Sequence, residues 1–554
     1  MRRGAAIAFV GLLALGGFGL RSWGIGYGLP CLRCRPDEGR LIETGLGLGR
    51  SAPDPGYYIW PHFPFWAARG FSELLGSVRG EVPGSGYYRD PAAYHLCFRF
   101  LFALLGAATV ALTGALGFRF FDRFTGCAAA AFAAVAFLPV RESHFVLLDV
   151  PATLAAVGAF LVLAGVWKRG RGRDYLVAGL SIGLAVSIKY YAVFLLGPLL
   201  AAHASRGRPR RPLFLAGSLA AAGLTFFLLN PFLVLHVPSA WTGIRDGILK
   251  SQYLHGFELV PETASGRGAW HHLVFSLRYG LGLPLELLSL GGVVMAALSL
   301  RRSVPARLLL AFAVPFSLAL AFQKSCFMRY TMLLVPFLCL LGAWALRRLT
   351  ARLGVGAAWA GALAAVLALE PLWRDIEFDR FVSSRPDSRL LAGDWMEKNI
   401  PRTRGLFFGN PLIFGRPQGY AAYPRRLSPG PSLAAPEFNR ILRATSGALV
   451  LDEHPLEYSR LDPALRRQLT EGTVPVRRFR GSGAPAAVFD PYDAFYVPVA
   501  GFASAVRPGP DIVFYLPAPS PFSSGPSSGG ASGTGANTRG AKNAARAAWP
   551  SRER

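Results

Sequence analysis

Residues 168–211, KRGRGRDYLVAGLSIGLAVSIKYYAVFLLGPLLAAHASRGRPRR, decide how the chain crosses a membrane. An apolar run over 175–204 lies between two dense clusters of Lys and Arg. Such clusters stay on the cytoplasmic side of a bilayer, so both ends of the run must face the same side. The run is too short for two full spans of about 20 residues each. We therefore predict a tight hairpin of two short helices that turns near Lys189, because a single long tilted span would invert everything downstream.

The composition is that of a polytopic membrane protein. Of 554 residues, 52% are hydrophobic and only 16% are charged, too few polar side chains to cover a soluble protein of this size. The formal net charge of +27 would suit a nucleic-acid partner. However, most Lys and Arg lie in short clusters between apolar runs, where they set the topology. We therefore expect a lipid bilayer and no nucleic acid as a partner.

We predict about 11 transmembrane helices, each near the length that crosses a bilayer. The first residues resemble a signal peptide but lack a convincing cleavage site, so we interpret them as an uncleaved first span. Every dense short basic cluster then falls on the side of the N-terminus, which is predicted to be cytoplasmic. The predicted spans are 4–20, 94–117, 124–140, 146–166, 175–188, 190–204, 212–235, 277–300, 306–322, 330–346 and 354–370.

This topology divides the chain into a transmembrane domain (1–370) and a C-terminal region outside the cytoplasm. Two long loops of the transmembrane domain, 21–93 and 236–276, fall on the same outer side. Residues 371–518 combine an amphipathic helical pattern with short apolar runs, including GALVLDE and DIVFYLP, that predict buried strands, which together indicate a small α/β domain. A pure recognition or assembly module is compatible with this prediction. The Ser-, Gly-, Ala- and Pro-rich tail 519–554 is predicted to be disordered.

Two of the six cysteines, Cys31 and Cys34, form a C-x-x-C pattern in the first outer loop. Without a second pair nearby, the pattern does not indicate a zinc ribbon. The two cysteines could form a local disulfide if the loop faces an oxidising compartment. The other four cysteines lie in or beside predicted spans and are interpreted as small apolar fillers.

Asp37 and Glu38 stand side by side in the first loop, between Pro36 and Gly39. Proline fixes one backbone angle and glycine frees another, so the pair can lie at a sharp turn beside a helix start. Adjacent side chains point apart on a helix or strand. One carboxylate could therefore contact a substrate while its neighbour orients a loop or a cation. A solvated helix cap is the simpler interpretation of the dipeptide alone.

Further candidates fall at the outer ends of predicted spans. Asp149, with His144 shortly before it, either caps a helix or faces a cavity, since ionisable groups within spans usually have partners. Lys189 and Arg329 lie outside, against the positive-inside bias. Each is either an anchor at the membrane interface or a ligand for an anion. Tyr330, beside Arg329, fits the aromatic belt of such an interface.

The second outer loop carries Tyr253, His255, His271 and His272. The two consecutive histidines are not spaced for ligation from one face of a helix. The sequence therefore gives only weak support to a zinc site here.

Several short segments, taken in order, resemble a known family. They are GLPCLRCRPDEGRLIE, DPGYYIWPHFPFW, RESHFVLLDVP, GLAVSIKYYAV and KSCFMRYTMLLVP, followed near the C-terminus by YDAFYVPVAGFASAVRPGPDIVFY. They resemble bacterial members of the protein O-mannosyltransferase and aminoarabinose-transferase group. These are polyprenyl-phosphate-sugar-dependent glycosyltransferases with the C-type membrane fold. The resemblance spans roughly residues 20–515, although Trp60 stands where the family has Tyr.

The resemblance implies an enzyme of the bacterial inner membrane that uses a polyprenyl-phosphate sugar donor and a lipid, glycan or protein acceptor. Asp37 matches the family's first-loop aspartate, a general base or acceptor-orienting carboxylate, and Glu38 would support its loop. Lys189 and Arg329 would bind the donor phosphate. The remaining predicted substrate-binding residues are His144, Asp149, Tyr190, His255 and Tyr330. Some relatives bind a divalent metal and others need none, so the metal is undecided; Asp37, Glu38 and Asp149 are the candidate ligands.

Two rival interpretations stay open at this point. One is a glycan polymerase or ligase that uses lipid pyrophosphate donors. The other is a transporter or flippase of a polyprenyl-linked glycan, since polytopic chains with intramembrane charges often transport. Transporters tend to show repeated halves and interrupted helices around a midplane site. The sequence shows no internal repeat, and its candidate groups cluster at one surface, which favours the enzyme.

Overall fold

Apolar helices make up most of the first 370 residues of the computed structural model. It describes residues 2–49, 51–81, 85–206, 211–254, 268–410, 413–423, 426–428, 435–493 and 495–518. The α-helices of this part are Arg3–Ser22, Pro36–Gly47, Phe63–Val78, Ser85–Arg89, Pro91–Phe120, Arg123–Val135, Phe137–Glu142, Asp149–Lys168, Gly172–Ile188, Leu196–Ala204, Pro212–Leu229, Phe232–Leu235, Val237–Ile244, Gly268–His271, Arg278–Leu281, Leu283–Leu298, Val304–Ala321, Val335–Arg352 and Ala357–Leu367. The 3₁₀ helices of this part are Leu32–Cys34, Tyr190–Leu195 and Met328–Leu334. The π-helices are Arg245–Leu254 and His272–Leu277.

Within the described residues, six helices are long and apolar enough to cross a membrane. They are Arg3–Ser22, Pro91–Phe120, Asp149–Lys168, Pro212–Leu229, Val304–Ala321 and Met328–Arg352. Gly268–Leu281 and Leu283–Leu298, bent by 120° at Gly282, would make a seventh if they form one span. Arg123–Val135 and Tyr190–Ala204 are apolar but shorter. The predicted class of polytopic helical membrane protein agrees with these helices, and the count of 11 spans stays a prediction.

The backbone changes direction at Lys189, where the hairpin is predicted to turn, and the hairpin itself stays a prediction. The helix Gly172–Ile188 ends there because Lys189 adopts an extended backbone, with φ −152° and ψ 127°. Within the same helix, Gly179 and Gly183 lie one turn apart and face the helix Pro212–Leu229. A Cβ atom on Gly179 would lie 2.2 Å from the carbonyl oxygen of Ser218. Glycines therefore allow the two backbones the close approach that is common between membrane helices.

The first outer loop has the local structure that its sequence favours. The helix Pro36–Gly47 begins with Pro36 at its first position, so Asp37 and Glu38 both lie in its first turn. Proline suits this position because it has no N–H group to leave unpaired. A disulfide joins Cys31 to Cys34 directly before this helix, which resolves the alternative left open for that pair.

A five-stranded mixed sheet occupies the C-terminal region. Its strands are β1 (Leu406–Phe408), β2 (Arg426–Leu427), β3 (Ala448–Glu453), β4 (Thr473–Phe479) and β5 (Asp511–Pro517), in the order β2-β1-β3-β5-β4. β1 pairs in parallel with β2 and β3, whereas β5 runs antiparallel to β3 and β4. The strands predicted from GALVLDE and DIVFYLP are therefore confirmed. The helices of the region are Leu369–Ser384, Ser388–Asn399, Ala435–Ala444 and Pro463–Thr470.

Apolar side chains cover both faces of the sheet and also join the region to the membrane helices. Met396 of the helix Ser388–Asn399 packs on one face, and Phe438 of Ala435–Ala444 packs on the other. Farther along the chain, Phe495 belongs to the same apolar core as the membrane helices, and its ring centre lies 4.5 Å from that of Phe145. The segment before β5 is therefore buried against the helical part. The domain boundary at 371 stays a prediction, and the tail 519–554 lies outside the described residues.

Asp452 in β3 gives a pH-dependent prediction about stability. It is buried, and within the described residues neither of its carboxylate oxygens has a hydrogen-bond partner. Burial, partly offset by the nearby Arg416, raises the pKa of Asp452 to about 8. Because this pKa is far above its unfolded value of about 4, the folded state loses stability as the pH rises from about 4 to about 8.

Asp452→Asn removes this titration. We expect the unfolding temperature of the full-length protein to rise by several degrees at pH 8 and to change little near pH 5. Melting curves of both proteins at the two pH values would measure this difference. An equal shift at both values would contradict the predicted pH dependence.

Candidate active site

Asp37 and Arg329 meet although 292 positions separate them in the sequence. Oδ2 of Asp37 lies 3.1 Å from an Nη atom of Arg329. Asp37 comes from the first turn of the outer-loop helix, and Arg329 from the turn Met328–Leu334 that precedes a membrane helix. The Asp37 side chain is 34% exposed, so it can be reached from outside the ion pair.

Lys189 and Asp149 form the second ion pair of the site. Nζ of Lys189 donates to Oδ1 of Asp149, the first residue of the helix Asp149–Lys168. The N-cap position of this helix is Leu148, and the Asp149 carboxylate contacts a charged partner, as the second of the two alternatives for this residue requires. The ammonium also lies over the rings of Tyr191 and Tyr330, at 5.8 and 5.5 Å from their centres. Aromatic faces stabilise a cation that has lost part of its water.

Both ion pairs line one cavity. Six of the nine predicted site residues lie in its wall, namely Asp37, Asp149, Lys189, Tyr190, Arg329 and Tyr330. The first loop adds Ile59, Trp60 and Pro61, and the second outer loop adds Ile248 and Gln252. The structure therefore brings together two carboxylates and two cations from four separate parts of the chain, and it includes the meeting of Asp37 with Lys189 and Arg329 that the sequence predicts.

Glu38 lies beside this cavity but outside its wall. It is fully buried, and its carboxylate oxygens accept hydrogen bonds from Nε and Nη2 of Arg99 at 2.9 and 2.7 Å. One oxygen also accepts from the backbone N–H of Val146 at 3.0 Å. Burial opposes ionisation, but Arg99 and the nearby His95 outweigh it and lower the pKa of Glu38 to about 2. Glu38 therefore ties the first outer loop to a membrane helix while Asp37 faces the cavity.

His144, another predicted site residue, does not reach the cavity. His144 is buried between Val140 and Trp23, whose carbonyl oxygens lie 2.9 Å from its two ring nitrogens. Its Nε2 also lies 3.3 Å from a carboxylate oxygen of Asp379. These contacts join the end of the helix Arg3–Ser22 and the segment that follows Phe137–Glu142 to the helix Leu369–Ser384. His255 lies outside the described residues.

An ion network that the sequence did not reveal adjoins Arg329. Asp493 from the C-terminal region lies 2.6 Å from Arg35, 3.0 Å from Arg141 and 3.8 Å from Arg329. Glu142 is the second acid of this network and contacts both Arg35 and Arg141. Asp493 lies in one of the segments that resemble the family, but the sequence assigns this acid no role. Its signal in the sequence is an acidic residue within an otherwise aromatic and apolar stretch.

Neutral polar groups form another part of the site. Tyr191 donates to the amide oxygen of Gln252. Nε2 of Gln323 donates to the hydroxyls of Tyr191 and Tyr253, at 3.2 and 3.4 Å. Because amide and hydroxyl groups both donate and accept, this wall suits a ligand rich in hydroxyl groups.

A divalent metal does not fit these side chains well. Among the residues that the structure describes, no three His, Cys, Asp or Glu side chains lie close enough together to bind an ion. Of the candidate ligands, Asp37, Glu38 and Asp149 are each already paired with a cationic side chain. We therefore derive no chemical step through a metal.

Comparison with known proteins agrees with this geometry. Residues 95–234 match the family model described as dolichyl-phosphate-mannose-protein mannosyltransferase. ArnT from Cupriavidus metallidurans, solved with undecaprenyl phosphate, superposes with a TM-score of 0.53 at 14% identity, over 93% of this chain and 98% of ArnT. The apo oligosaccharyltransferase of Archaeoglobus fulgidus superposes with a TM-score of 0.51 at 14% identity, over 81% of this chain and 70% of that one. No curated protein sequence matches the chain.

The chain has the same membrane fold as ArnT and this oligosaccharyltransferase. The predicted resemblance is thereby confirmed, and the matched family and both solved structures are glycosyltransferases, as the predicted enzyme class requires. In this fold the ion pairs of Asp37 and Asp149 lie in a cavity bordered by the first and second outer loops. Because the identity to the solved structures is low, they support the glycosyltransferase fold and not the roles of individual residues.

Proposed function

We propose that the protein is a glycosyltransferase that moves a sugar from a polyprenyl phosphate to a hydroxyl group of a lipid, glycan or protein. One observation carries this proposal: Asp37 lies 3.1 Å from Arg329 in a cavity that Lys189 also lines. A base for a hydroxyl group and two cations for a phosphate thus share one site. The fold in common with ArnT, which was solved with undecaprenyl phosphate, supports the donor class.

The proposed reaction is a displacement at the anomeric carbon of the sugar. The bond from this carbon to the phosphate oxygen breaks, and a bond to the acceptor oxygen forms. Asp37 accepts the proton of the acceptor hydroxyl, as a general base. The electron pair of the broken bond leaves with the polyprenyl phosphate, whose charge becomes more negative. Lys189 and Arg329 stabilise this developing charge in a site largely shielded from water.

Both cations that would bind the donor phosphate are already paired with a carboxylate. In the structure Lys189 is paired with Asp149, and Arg329 is paired with Asp37. A donor phosphate would share the two cations with these carboxylates. Sharing Arg329 would weaken its hold on Asp37 and make that carboxylate a better acceptor for a proton. Donor binding and activation of the base are therefore coupled in this proposal.

The neutral wall of Tyr191, Gln252 and Gln323 is assigned to the sugar. Two of these residues, Tyr191 and Gln252, line the same cavity as Lys189. Hydrogen bonds to sugar hydroxyls would orient the anomeric carbon between the phosphate and Asp37. Such positioning brings the reacting groups into line and contributes to the rate.

The proposal includes the predicted topology in the bacterial inner membrane. Eleven segments cross the bilayer, the N-terminus is cytoplasmic, and residues 371–518 form an extracytoplasmic α/β domain. The positive-inside distribution of the basic clusters supports this orientation. The Cys31–Cys34 disulfide is consistent with it, because disulfides persist mainly outside the cytoplasm.

A transfer assay tests the proposed function. The purified protein in lipid vesicles is given a panel of sugars on polyprenyl phosphate, on polyprenyl pyrophosphate and on nucleotides. We expect at least one polyprenyl-phosphate sugar to be consumed with release of free polyprenyl phosphate, and no reaction with nucleotide sugars. Transfer from pyrophosphate donors alone would point to a polymerase or ligase. Movement of a lipid-linked sugar across the vesicle without any transfer would point to a flippase.

A further inference from the structure

The turn Asp490–Asp493 of the C-terminal region lies directly on the segment that carries Arg329. Oδ2 of Asp490 accepts a hydrogen bond of 2.9 Å from the backbone N–H of Met328, the residue before Arg329. The hydroxyl of Tyr492 donates to the carbonyl oxygen of Lys324 at 3.1 Å, and its ring packs on Phe327. The backbone of residues 324–328 is therefore bound at two points by this turn.

Asp493 acts on the Arg329 side chain itself. Its Oδ1 lies 3.8 Å from Nη1 of Arg329, while Nη2 of the same guanidinium lies 3.1 Å from Asp37. The planar guanidinium is thus placed between two carboxylates, one from each end of the chain. A planar group with donors fixed in one plane keeps a single orientation best when partners lie on two of its edges.

Asp493 is itself firmly oriented. Arg35 and Arg141 bind its two oxygens at 2.6 and 3.0 Å, and it is only 6% exposed. Burial alone would raise the pKa of Asp493, but the three surrounding guanidinium groups outweigh it and keep this pKa below its usual range. The hydroxyl of Tyr458, which follows β3, donates to the backbone carbonyl of Asp493 at 2.6 Å. Contacts therefore run from the sheet through Asp493 to the cavity.

We propose that Asp493 is a positioning residue for the donor-phosphate site, acting through Arg329, and that Asp490 fixes the backbone on which Arg329 stands. This inference rests on the proposed function. It makes the C-terminal region a part of the active site and not only a recognition module. The region would complete the phosphate-binding site when its turn docks on residues 324–329.

Binding of undecaprenyl phosphate by the full-length protein tests this assignment directly. Asp493→Asn keeps the size of the side chain and removes its charge. We expect it to weaken binding by about ten-fold or more, the range of a hydrogen bond to a charged group. In a background of Arg329→Gln the same change should have little further effect, because two residues that act through one contact are not additive. Equal fold-changes in both backgrounds would overturn the proposal.

A second pair of variants keeps the proposal testable if Asp493→Asn fails to fold. Asp490→Asn retains an oxygen that can accept from Met328, whereas Asp490→Ala removes it. We expect binding near that of the wild type for the first and clearly weaker binding for the second; equal binding would overturn the role of this turn. Asp511→Asn is the matched control, because it alters a carboxylate on β5 that pairs with Arg478 and not with the Arg329 segment; this variant should bind undecaprenyl phosphate normally.

The same measurement separates the two proposals. If the wild type binds undecaprenyl phosphate and the Asp493 and Asp490 variants bind equally well, the positioning role is wrong while the proposed function stands. If the wild type does not bind it at all, the proposed function fails, and the positioning role fails with it.

Discussion

Replacing Asp37 by Asn is expected to slow sugar transfer by about 10²- to 10⁴-fold, the usual contribution of a general base. Asparagine keeps the shape of the side chain but cannot take a proton from the acceptor hydroxyl. Undecaprenyl-phosphate binding should be largely retained, because the amide oxygen of Asn can still accept a hydrogen bond from Arg329 and keep its guanidinium in place. Turnover and donor affinity, measured separately on the purified protein, would show that the first falls while the second does not.

Glu43 supplies the matched control for Asp37. It lies on the same helix, is exposed, and is absent from the cavity wall. Glu43→Gln should leave turnover near that of the wild type. If Asp37→Asn turned over as fast as Glu43→Gln, Asp37 would lose the role of base. If it lost donor binding instead of turnover, the acid would act on the phosphate site and not on the acceptor.

The meeting of Asp37 with Lys189 and Arg329 could be predicted because each lies where membrane topology restricts it. Positive charge outside a cytoplasmic loop needs a reason, and an acid at a helix start in an outer loop can be reached from the same side. The predicted topology places all three residues at one surface of the molecule, so only the charges of that surface needed to be compared. The order of the family-like segments then indicated which charges on that surface belong together.

The network around Asp493 could not be predicted in this way. Arg35 and Asp493 are 458 positions apart, and nothing in the local pattern of either predicts that the other will neutralise it. Buried ion pairs depend on geometry formed only when distant segments dock. The same reason explains His144, whose motif indicates a site but whose ring lies between backbone carbonyls of two helices.

The adjacent residues Asp37 and Glu38 have different surroundings in the structure, and the sequence predicted only part of this difference. Asp37 and Glu38 have the same chemistry and almost the same sequence context, yet one faces the cavity and the other contacts Arg99. The sequence predicted that the two side chains diverge, since neighbours on a helix point about 100° apart. Which of them would face the cavity depended on how the first-loop helix packs on Pro91–Phe120, and periodicity alone does not contain that information.

Secondary structure in the C-terminal region shows a similar limit. The strands β3 and β5 are apolar runs with buried side chains and could be recognised. β1 and β2 have only three and two residues, which is too short for any alternation to be visible. β1 forms because β3 offers a parallel edge to which it can pair, and β2 pairs in turn with β1, so both depend on tertiary structure.

Replacing Lys189 by Met is expected to weaken undecaprenyl-phosphate binding by about 10- to 100-fold, since a hydrogen bond to a charged group contributes about 1.5–3 kcal/mol. Methionine keeps an apolar side chain of similar size but removes the ammonium that lies over the rings of Tyr191 and Tyr330. It also leaves Asp149 buried without its partner, a change that costs about 3–5 kcal/mol of stability when one half of a buried pair is removed. Binding and unfolding temperature should therefore both fall.

A second substitution separates these two losses. In the double variant Lys189→Met with Asp149→Asn, the buried acid no longer carries a charge, so the unfolding temperature should return most of the way to that of the wild type. Donor binding should stay weak, because the phosphate has still lost one of its two cations. If binding recovered together with stability, Lys189 would act only by neutralising Asp149. If Lys189→Met bound the donor as well as the wild type, the lysine would be an interfacial anchor, and Arg329 alone would have to stabilise the departing phosphate.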